Sequence, residues 1–217
     1  MSFLPHKATR ISATWASRLT FARYVFLGIG LLALGYSGFV FADSRVYQAI
    51  QAKKFTLASP LSEPHILLQG EVIGEIEIPR LKLQAIVVQG DSAGSLRRAV
   101  GHISISPLPG EWGNVALAGH RDTVFRPLRN IRVGDEIDFT MAQQSFRYVV
   151  DSIQIVAPKD IEVLEPTAGR DLTLVTCFPF YFVGPAPKRF IVRAREVDSV
   201  MRKPIKTVDG IIQELPK

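Results

Sequence analysis

The sequence LTLVTCFPFYFVGPAPKRFIV, residues 172–192, contains the features that decide how this chain folds. An apolar run interrupted by threonines ends at Cys177, the only cysteine among 217 residues. A second apolar run follows Lys188 and Arg189. The three prolines and the glycine between the two runs predict a loop of about eleven residues joining two strands.

Similar short apolar segments recur between residues 71 and 197 and are separated by frequent turn residues. Several alternate apolar and polar residues, as half-buried strands do. The predicted strands lie at 72–79, 83–90, 115–119, 135–141, 145–158, 171–177 and 189–197. A short helix is predicted over 91–101, with Asp91 or Ser92 as its N-cap. Seven or eight strands with few helices predict an all-β domain, either a barrel or a sandwich.

The N-terminal region has the composition of a membrane anchor. Residues 24–42 contain no charged side chain and are long enough to cross a hydrocarbon core of about 30 Å as a helix. Residues 1–23 carry four basic residues and no acidic one, which predicts that this end stays in the cytoplasm. A cleaved signal peptide is the alternative, but its apolar region should be shorter and should end at a small-residue cleavage site.

The predicted organisation therefore has five parts. A basic cytoplasmic segment spans 1–23, and a transmembrane signal anchor spans 24–42. A stalk or linker covers 43–70, the β-domain covers 71–197, and a loosely ordered tail covers 198–217. The β-domain would lie outside the cytoplasm, attached to the membrane by a single span.

The net charge of +6 does not indicate nucleic-acid binding. The excess of basic residues lies mainly before the apolar segment, while residues 71–196 carry equal numbers of basic and acidic side chains. No basic stripe of the kind that binds a phosphate backbone is present.

Three interpretations of Cys177 follow from the residues alone. Free cysteine is often a small buried hydrophobe. In an exported protein, an unpaired cysteine also suggests a disulfide to another chain or a reactive thiol. A nucleophilic cysteine would need a basic or cationic neighbour, because the thiolate is the reactive form.

The histidine most suited to that role is His120, which follows the predicted strand at 115–119. Arg189 begins the strand after the long loop, and its guanidinium could bind the oxyanion formed when sulfur attacks a carbonyl. His102 is predicted to be structural. Asp122 lies two residues after His120 and suggests a triad, although residues this close on a turn rarely face each other. No ligand spacing predicts a metal site, and no phosphate-binding loop predicts a nucleotide cofactor.

Three phrases in this order resemble the sortase family, the membrane-anchored cysteine transpeptidases of bacterial envelopes. PGEWGNVALAGHRDTVFRPL resembles the sortase histidine segment, LTLVTC the strand that ends in the sortase cysteine, and PAPKRFIVRA the strand that carries the sortase arginine. The loop and strand from residue 180 onwards look most like class D sortases. The resemblance covers about residues 71–196.

The resemblance implies a closed, eight-stranded sortase-type β-barrel with the site in a groove on its wall. It assigns catalysis to His120, Cys177 and Arg189, and substrate binding to Thr176; we expect Trp112 to cap one end of the groove. It implies cleavage of an LPxTG-like motif between Thr and Gly through a Cys177 thioester. The acceptor would be an amine from lipid II, cell-wall peptide or a pilin lysine, and no cofactor is expected. A hydrolase on the same barrel and a non-catalytic peptide-binding barrel remain as alternatives.

Overall fold

A computed structural model describes residues 13–57, 67–141, 144–182 and 184–201. Most of the predicted basic N-terminus, part of the linker and most of the predicted tail therefore lie outside the described residues. The chain divides into two compact units, one ending at Asp43 and the other beginning at Ser44.

The N-terminal helix α1 spans Ala13–Leu57 and contains the apolar segment predicted at 24–42. Within the described residues, it is the one helix long and apolar enough to cross a membrane, judged by length and composition. Its large apolar side chains between Leu19 and Phe41 are mostly exposed, as expected for a surface that lipid would cover.

The part of α1 after Ser44 packs on the barrel wall. Tyr47 and Ala52 contact a small apolar cluster formed by Ile86, Val88 and Ala99. The Gln48 side chain accepts a hydrogen bond from the Ile86 amide at 2.7 Å and donates one to the Arg98 carbonyl at 2.7 Å. These contacts attach the helix to a strand edge.

Eight strands within the described residues form a closed barrel, as predicted. Their order around the barrel is β1-β2-β3-β4-β7-β8-β6-β5, with β5 pairing back to β1. The strands are β1 (Val72–Ile78), β2 (Leu83–Gln89), β3 (Val100–His102), β4 (Gly113–Ala118), β5 (Glu136–Met141), β6 (Gln144–Val156), β7 (Arg170–Phe178) and β8 (Lys188–Met201).

Helices in the barrel unit are short. Helix α2 spans Ala93–Arg98, and the Ser92 hydroxyl accepts a hydrogen bond from the Ser95 amide as its N-cap. Three 3₁₀-helices span Pro79–Leu81, Arg126–Asn130 and Ile161–Leu164.

Most predicted strands match within about two residues, and the larger differences are at the ends of α2 and β8. Helix α2 ends at Arg98, and Gly101 lies within β3 instead of closing the helix. Strand β8 continues to Met201, past the predicted start of the tail at residue 198. The first difference adds β3 to the seven predicted segments, and the second leaves the number of strands unchanged.

Alternation along the strands sets which side chains fill the barrel and which face its outer wall. The interior is packed with branched and aromatic side chains, among which Tyr148, Phe125, Phe139, Ile76 and Leu117 are fully buried. Residues of opposite parity on β4, β7 and β8 face outward, and this wall carries the candidate site.

Candidate active site

Strands β4, β7 and β8 lie side by side, and their ends bring the predicted residues together. Strand β4 runs parallel to β7, with Ala118 beside Val175. Strand β8 runs antiparallel to β7, which places Arg189 directly opposite Cys177. Ala118 and Val175 are the last pair that β4 and β7 share, and His120 and Cys177 each lie two residues further along their chain segments.

Cys177 and Arg189 share the outer face of the barrel. On β7, Leu172 and Leu174 belong to the core, so Cys177 at odd parity points outward. On β8, Phe190 and Val192 belong to the core, so Arg189 also points outward. Directly opposed residues on antiparallel strands have Cβ atoms about 4.5–5.5 Å apart, within reach of each other's side chains.

Two hydrogen bonds fix Gly119, the residue before His120, to β7. The Gly119 amide donates to the Val175 carbonyl at 3.1 Å, and the Thr176 hydroxyl donates to the Gly119 carbonyl at 2.7 Å. A Cβ atom on Gly119 would lie 2.5 Å from the buried Phe125 ring, so glycine is required at this close approach. His120 itself is exposed.

Thr176 is 3% exposed, and its hydroxyl is engaged with the Gly119 carbonyl. The side chain has the parity of the barrel interior, unlike Cys177 beside it. The hydrogen bond from its hydroxyl therefore links β7, which carries Cys177, to the segment that carries His120.

Away from Cys177, near the start of β4 and β7, the 3₁₀-helix at Ile161–Leu164 lies against the outer wall. The Asn114 side-chain amide donates to the Val163 and Glu165 carbonyls at 3.1 and 3.2 Å, while its oxygen accepts from the Thr173 hydroxyl. Arg193 also donates to the Val163 carbonyl at 3.1 Å. Asn114 and Arg193 were not singled out by sequence, because their partners are backbone carbonyls of a distant loop.

The aromatic residues after Cys177 divide into two groups. Phe178 and Phe180 pack with Phe190, with ring centroids 5.1–6.1 Å apart, and cover one end of the core. Tyr181 and Phe182 are exposed on the loop between β7 and β8. The exposed pair lies in the loop that begins two residues after the cysteine.

Other predicted residues lie elsewhere or are engaged with other partners. Trp112 lies just before β4, and His120 lies just after it. At about 3.3 Å per residue, the six residues of β4 span roughly 17 Å between these two ends. The Trp112 ring lies under the Arg170 guanidinium, 5.2 Å away. The exposed Asp122 carboxylate lies 3.6 Å from Arg121 Nε. His102 is buried and hydrogen-bonded, as expected for a structural histidine.

A thiol, an imidazole and a guanidinium at neighbouring strand ends suit nucleophilic acyl transfer. The thiol can attack a carbonyl as thiolate, and the imidazole can move a proton to or from the leaving and incoming groups. The guanidinium can donate to the developing oxyanion.

The family model described as Sortase domain matches residues 76–197. This chain belongs to the sortase family. Sortases are cysteine transpeptidases, and class D members are among its relatives.

Bacillus subtilis Sortase D is 30% identical to this sortase over 191 aligned residues, in an alignment that covers 79% of this chain and 95% of the relative. The Clostridium perfringens Sortase D5 transpeptidase superposes with a TM-score of 0.61 at 25% identity, covering 72% of this chain and 99% of that one. Sortase E1 from Streptomyces coelicolor, solved with a tripeptide in its active site, has a TM-score of 0.56 at 29% identity. That match covers 64% of this chain and 98% of the Streptomyces protein.

Proposed function

We propose that this sortase is a single-pass membrane enzyme that cuts an LPxTG-like motif between Thr and Gly and joins the acyl fragment to an amine of the cell envelope or of a pilin. The observation that carries the proposal is the opposition of Cys177 and Arg189 on the outer wall, at the strand end beside the His120 segment. A nucleophile, a proton carrier and an oxyanion donor thus lie at adjoining strand ends on the outer wall.

The acylation step begins when the Cys177 sulfur attacks the carbonyl carbon of the motif threonine. The new S–C bond forms a tetrahedral oxyanion, to which Arg189 donates hydrogen bonds. The C–N bond to glycine then breaks, His120 gives its proton to the leaving amine, and a thioester remains on Cys177.

The transfer step reverses these roles. An incoming amine attacks the thioester carbon and loses its proton to His120, and the Cys177 thiolate leaves as the new amide forms. Water in place of the amine would give hydrolysis. The acceptor amine therefore decides whether the product is a ligated protein or a free acid.

The membrane assignment is supported by the sequence and by α1. Lys7, Arg10, Arg18 and Arg23 precede or flank the start of the apolar segment without any acidic residue. The positive-inside rule then puts the N-terminus in the cytoplasm and the barrel outside it. Substrates and acceptors would thus be envelope proteins and envelope amines.

The test is intact mass spectrometry of the full chain in detergent with a panel of LPxTG-like peptides, with and without diglycine. Cys177→Ala runs beside the wild type as the control. We expect a thioester adduct on the wild type alone, which passes to diglycine. An adduct released only as free acid would identify a hydrolase. No adduct from a folded protein with an accessible thiol would count against catalysis and favour a peptide-binding barrel.

A further inference from the structure

The residue after His120 is a buried arginine whose guanidinium is directed at the loop that follows Cys177. Arg121 is only 6% exposed. Its Nη1 donates to the Pro179 carbonyl at 2.9 Å, and its Nη2 donates to the Phe182 carbonyl at 2.6 Å and the Gly184 carbonyl at 3.3 Å. One side chain therefore holds three carbonyls of the loop between β7 and β8.

These contacts connect the chain neighbours of all three proposed catalytic residues. Arg121 directly follows His120 in the chain. The loop that its guanidinium holds starts at Pro179, two residues after Cys177. The same loop ends at Pro187, two residues before Arg189. The guanidinium thus links the histidine segment to the loop that joins the cysteine and arginine strands.

Arginine suits this position for chemical reasons. A buried charge is costly unless it is hydrogen-bonded or paired, and three carbonyl dipoles together with Asp122 at 3.6 Å offset that cost here. The planar guanidinium can donate in several fixed directions at once, whereas an ammonium is a compact point charge. The Phe182 ring lies 5.9 Å from the guanidinium carbon and adds a cation–π contact.

We infer that Arg121 is a positioning residue, which anchors the loop between β7 and β8 and thereby fixes His120 relative to Cys177 and Arg189. This inference rests on the proposed transpeptidase function for its effect on rate. The anchoring itself is a property of the fold. Arg121 does not face the reacting atoms and exchanges no proton.

The kinetic test compares full-length wild type with Arg121→Ala and Arg121→Lys in detergent, using the peptide and amine identified for the wild type. Small misplacements of reacting groups can cost about a hundredfold in rate, so we expect kcat to fall about 10- to 100-fold in Arg121→Ala. We expect KM to change much less and Arg121→Lys to recover part of kcat. Arg126→Ala removes an exposed positive charge from the same segment and serves as the matched control.

A merely structural role would lower activity in proportion to the folded fraction. Thermal unfolding of each variant measures that fraction, and kcat is expressed per folded molecule. Unchanged kcat per folded Arg121→Ala enzyme would overturn the positioning role.

Hydrogen exchange of the loop amides is the second measurement, and it does not depend on catalysis. Amides of ordered loops exchange through local opening. We expect the amides of Phe180, Tyr181, Phe182, Gly184 and Ala186 to exchange at least about tenfold faster in Arg121→Ala, while β4 and β7 stay protected. Unchanged loop exchange would overturn the anchoring. If the wild type forms no thioester, the proposed function fails, and loop exchange still decides whether Arg121 is the anchor.

Discussion

At the scale of single residues, Arg189 is the most informative position on the wall. Its Nη1 donates only to the carbonyls of Ala186 and Lys188, at 3.3 and 3.1 Å, among the contacts that the structure describes. These bonds lie at the end of the loop and contribute little to the core. The side chain is therefore free to reorient toward an oxyanion at Cys177 without unfolding the barrel.

Replacing Arg189 by alanine should then affect catalysis and spare stability. Loss of an oxyanion donor typically costs about a hundred- to a thousandfold in rate, and we expect kcat/KM for thioester formation to fall within that range. The kcat/KM of Arg189→Lys should lie between those of the wild type and Arg189→Ala, because lysine keeps the charge and loses the planar donor geometry. Stopped-flow mass spectrometry of the adduct gives the rate, and thermal unfolding gives the stability.

A control on the same strand separates this effect from a general loss of charge. Arg195 also faces the outer wall of β8, where it makes an exposed ion pair with Asp151 at 3.6 Å. Exposed pairs contribute little, so Arg195→Ala should leave rate and stability almost unchanged. An equal loss of rate in both variants would contradict an oxyanion role for Arg189.

The sequence could point to Cys177, His120 and Arg189 because their residue types are chemically distinctive and each ends or begins an apolar run. It could not reveal that Cys177 and Arg189 are directly opposed, since strand register depends on how the intervening loop packs. The same loop hides which aromatic residues are buried. Phe178 and Phe180 pack against the core while Tyr181 and Phe182 are exposed, although all four are aromatic residues of one short segment.

At the scale of elements, strand β3 escaped prediction for reasons of length and context. Strand β3 has three residues, too few to show a period, and exists because it pairs with β2 on one side and β4 on the other. Trp112 is close to His120 in sequence, but β4 carries the chain across the barrel wall between them. A strand separates residues in space that a turn would bring together.

The docked end of α1 gives a prediction at this scale. Gln48 satisfies the Ile86 amide and the Arg98 carbonyl through one side chain, both at 2.7 Å. The bond to the Ile86 amide is part-buried, and leaving such a group without its partner costs about 1–3 kcal/mol. We expect Gln48→Ala to lower the free energy of unfolding of the 44–217 fragment by that amount.

Denaturant unfolding of the fragments 44–217 and 58–217, and of the Gln48→Ala and Lys53→Ala variants of the longer one, measures this contribution. The fragment 58–217 lacks the docked helix and should be less stable than 44–217 by at least the Gln48→Ala difference. Lys53→Ala alters an exposed residue of the same helix and should have almost no effect. Equal stability of the 44–217 and 58–217 fragments would show that the helix does not support the barrel.

At the scale of the whole molecule, buried titratable groups tie the stability of the barrel to pH. His102 is 1% exposed, with its Nδ1 2.8 Å from Gln89 Oε1 and its Nε2 3.0 Å from the Pro107 carbonyl oxygen. Burial lowers the pKa of His102 below its usual value, against the opposing influence of the Pro107 carbonyl and of Glu111. This histidine holds β3 to the loop that leads into β4.

The sign of the pH dependence follows from proton binding in the two states. An unfolded histidine takes up a proton near pH 6.5, while the folded His102 resists protonation until lower pH. The unfolded chain therefore binds more protons below about pH 6.5, and the free energy of unfolding falls as the pH drops through that value. One proton changes this free energy by at most about 1.4 kcal/mol per pH unit.

Asp135 and Glu196 also make the stability of the barrel depend on pH, each in its own way. The Arg80 guanidinium beside Asp135 lowers the pKa of that carboxyl, so its contribution to stability is lost only at more acidic pH. Burial raises the pKa of Glu196, whose effect has the opposite slope, because its protonated form is favoured in the folded barrel. A comparison of wild type with a His102 variant cancels both contributions.

We therefore expect His102→Gln to be less stable than wild type at pH 7.5, because it loses a fitted pair of buried hydrogen bonds. Between pH 7.5 and 5.5, its free energy of unfolding should decline less steeply than that of the wild type. Urea unfolding at half-unit pH intervals gives both curves. Parallel curves would mean that His102 titrates alike in the folded and unfolded chains and that acid sensitivity of the barrel arises elsewhere. Converging curves would identify the β3 histidine as a group through which acid loosens the segment leading into the strand before His120.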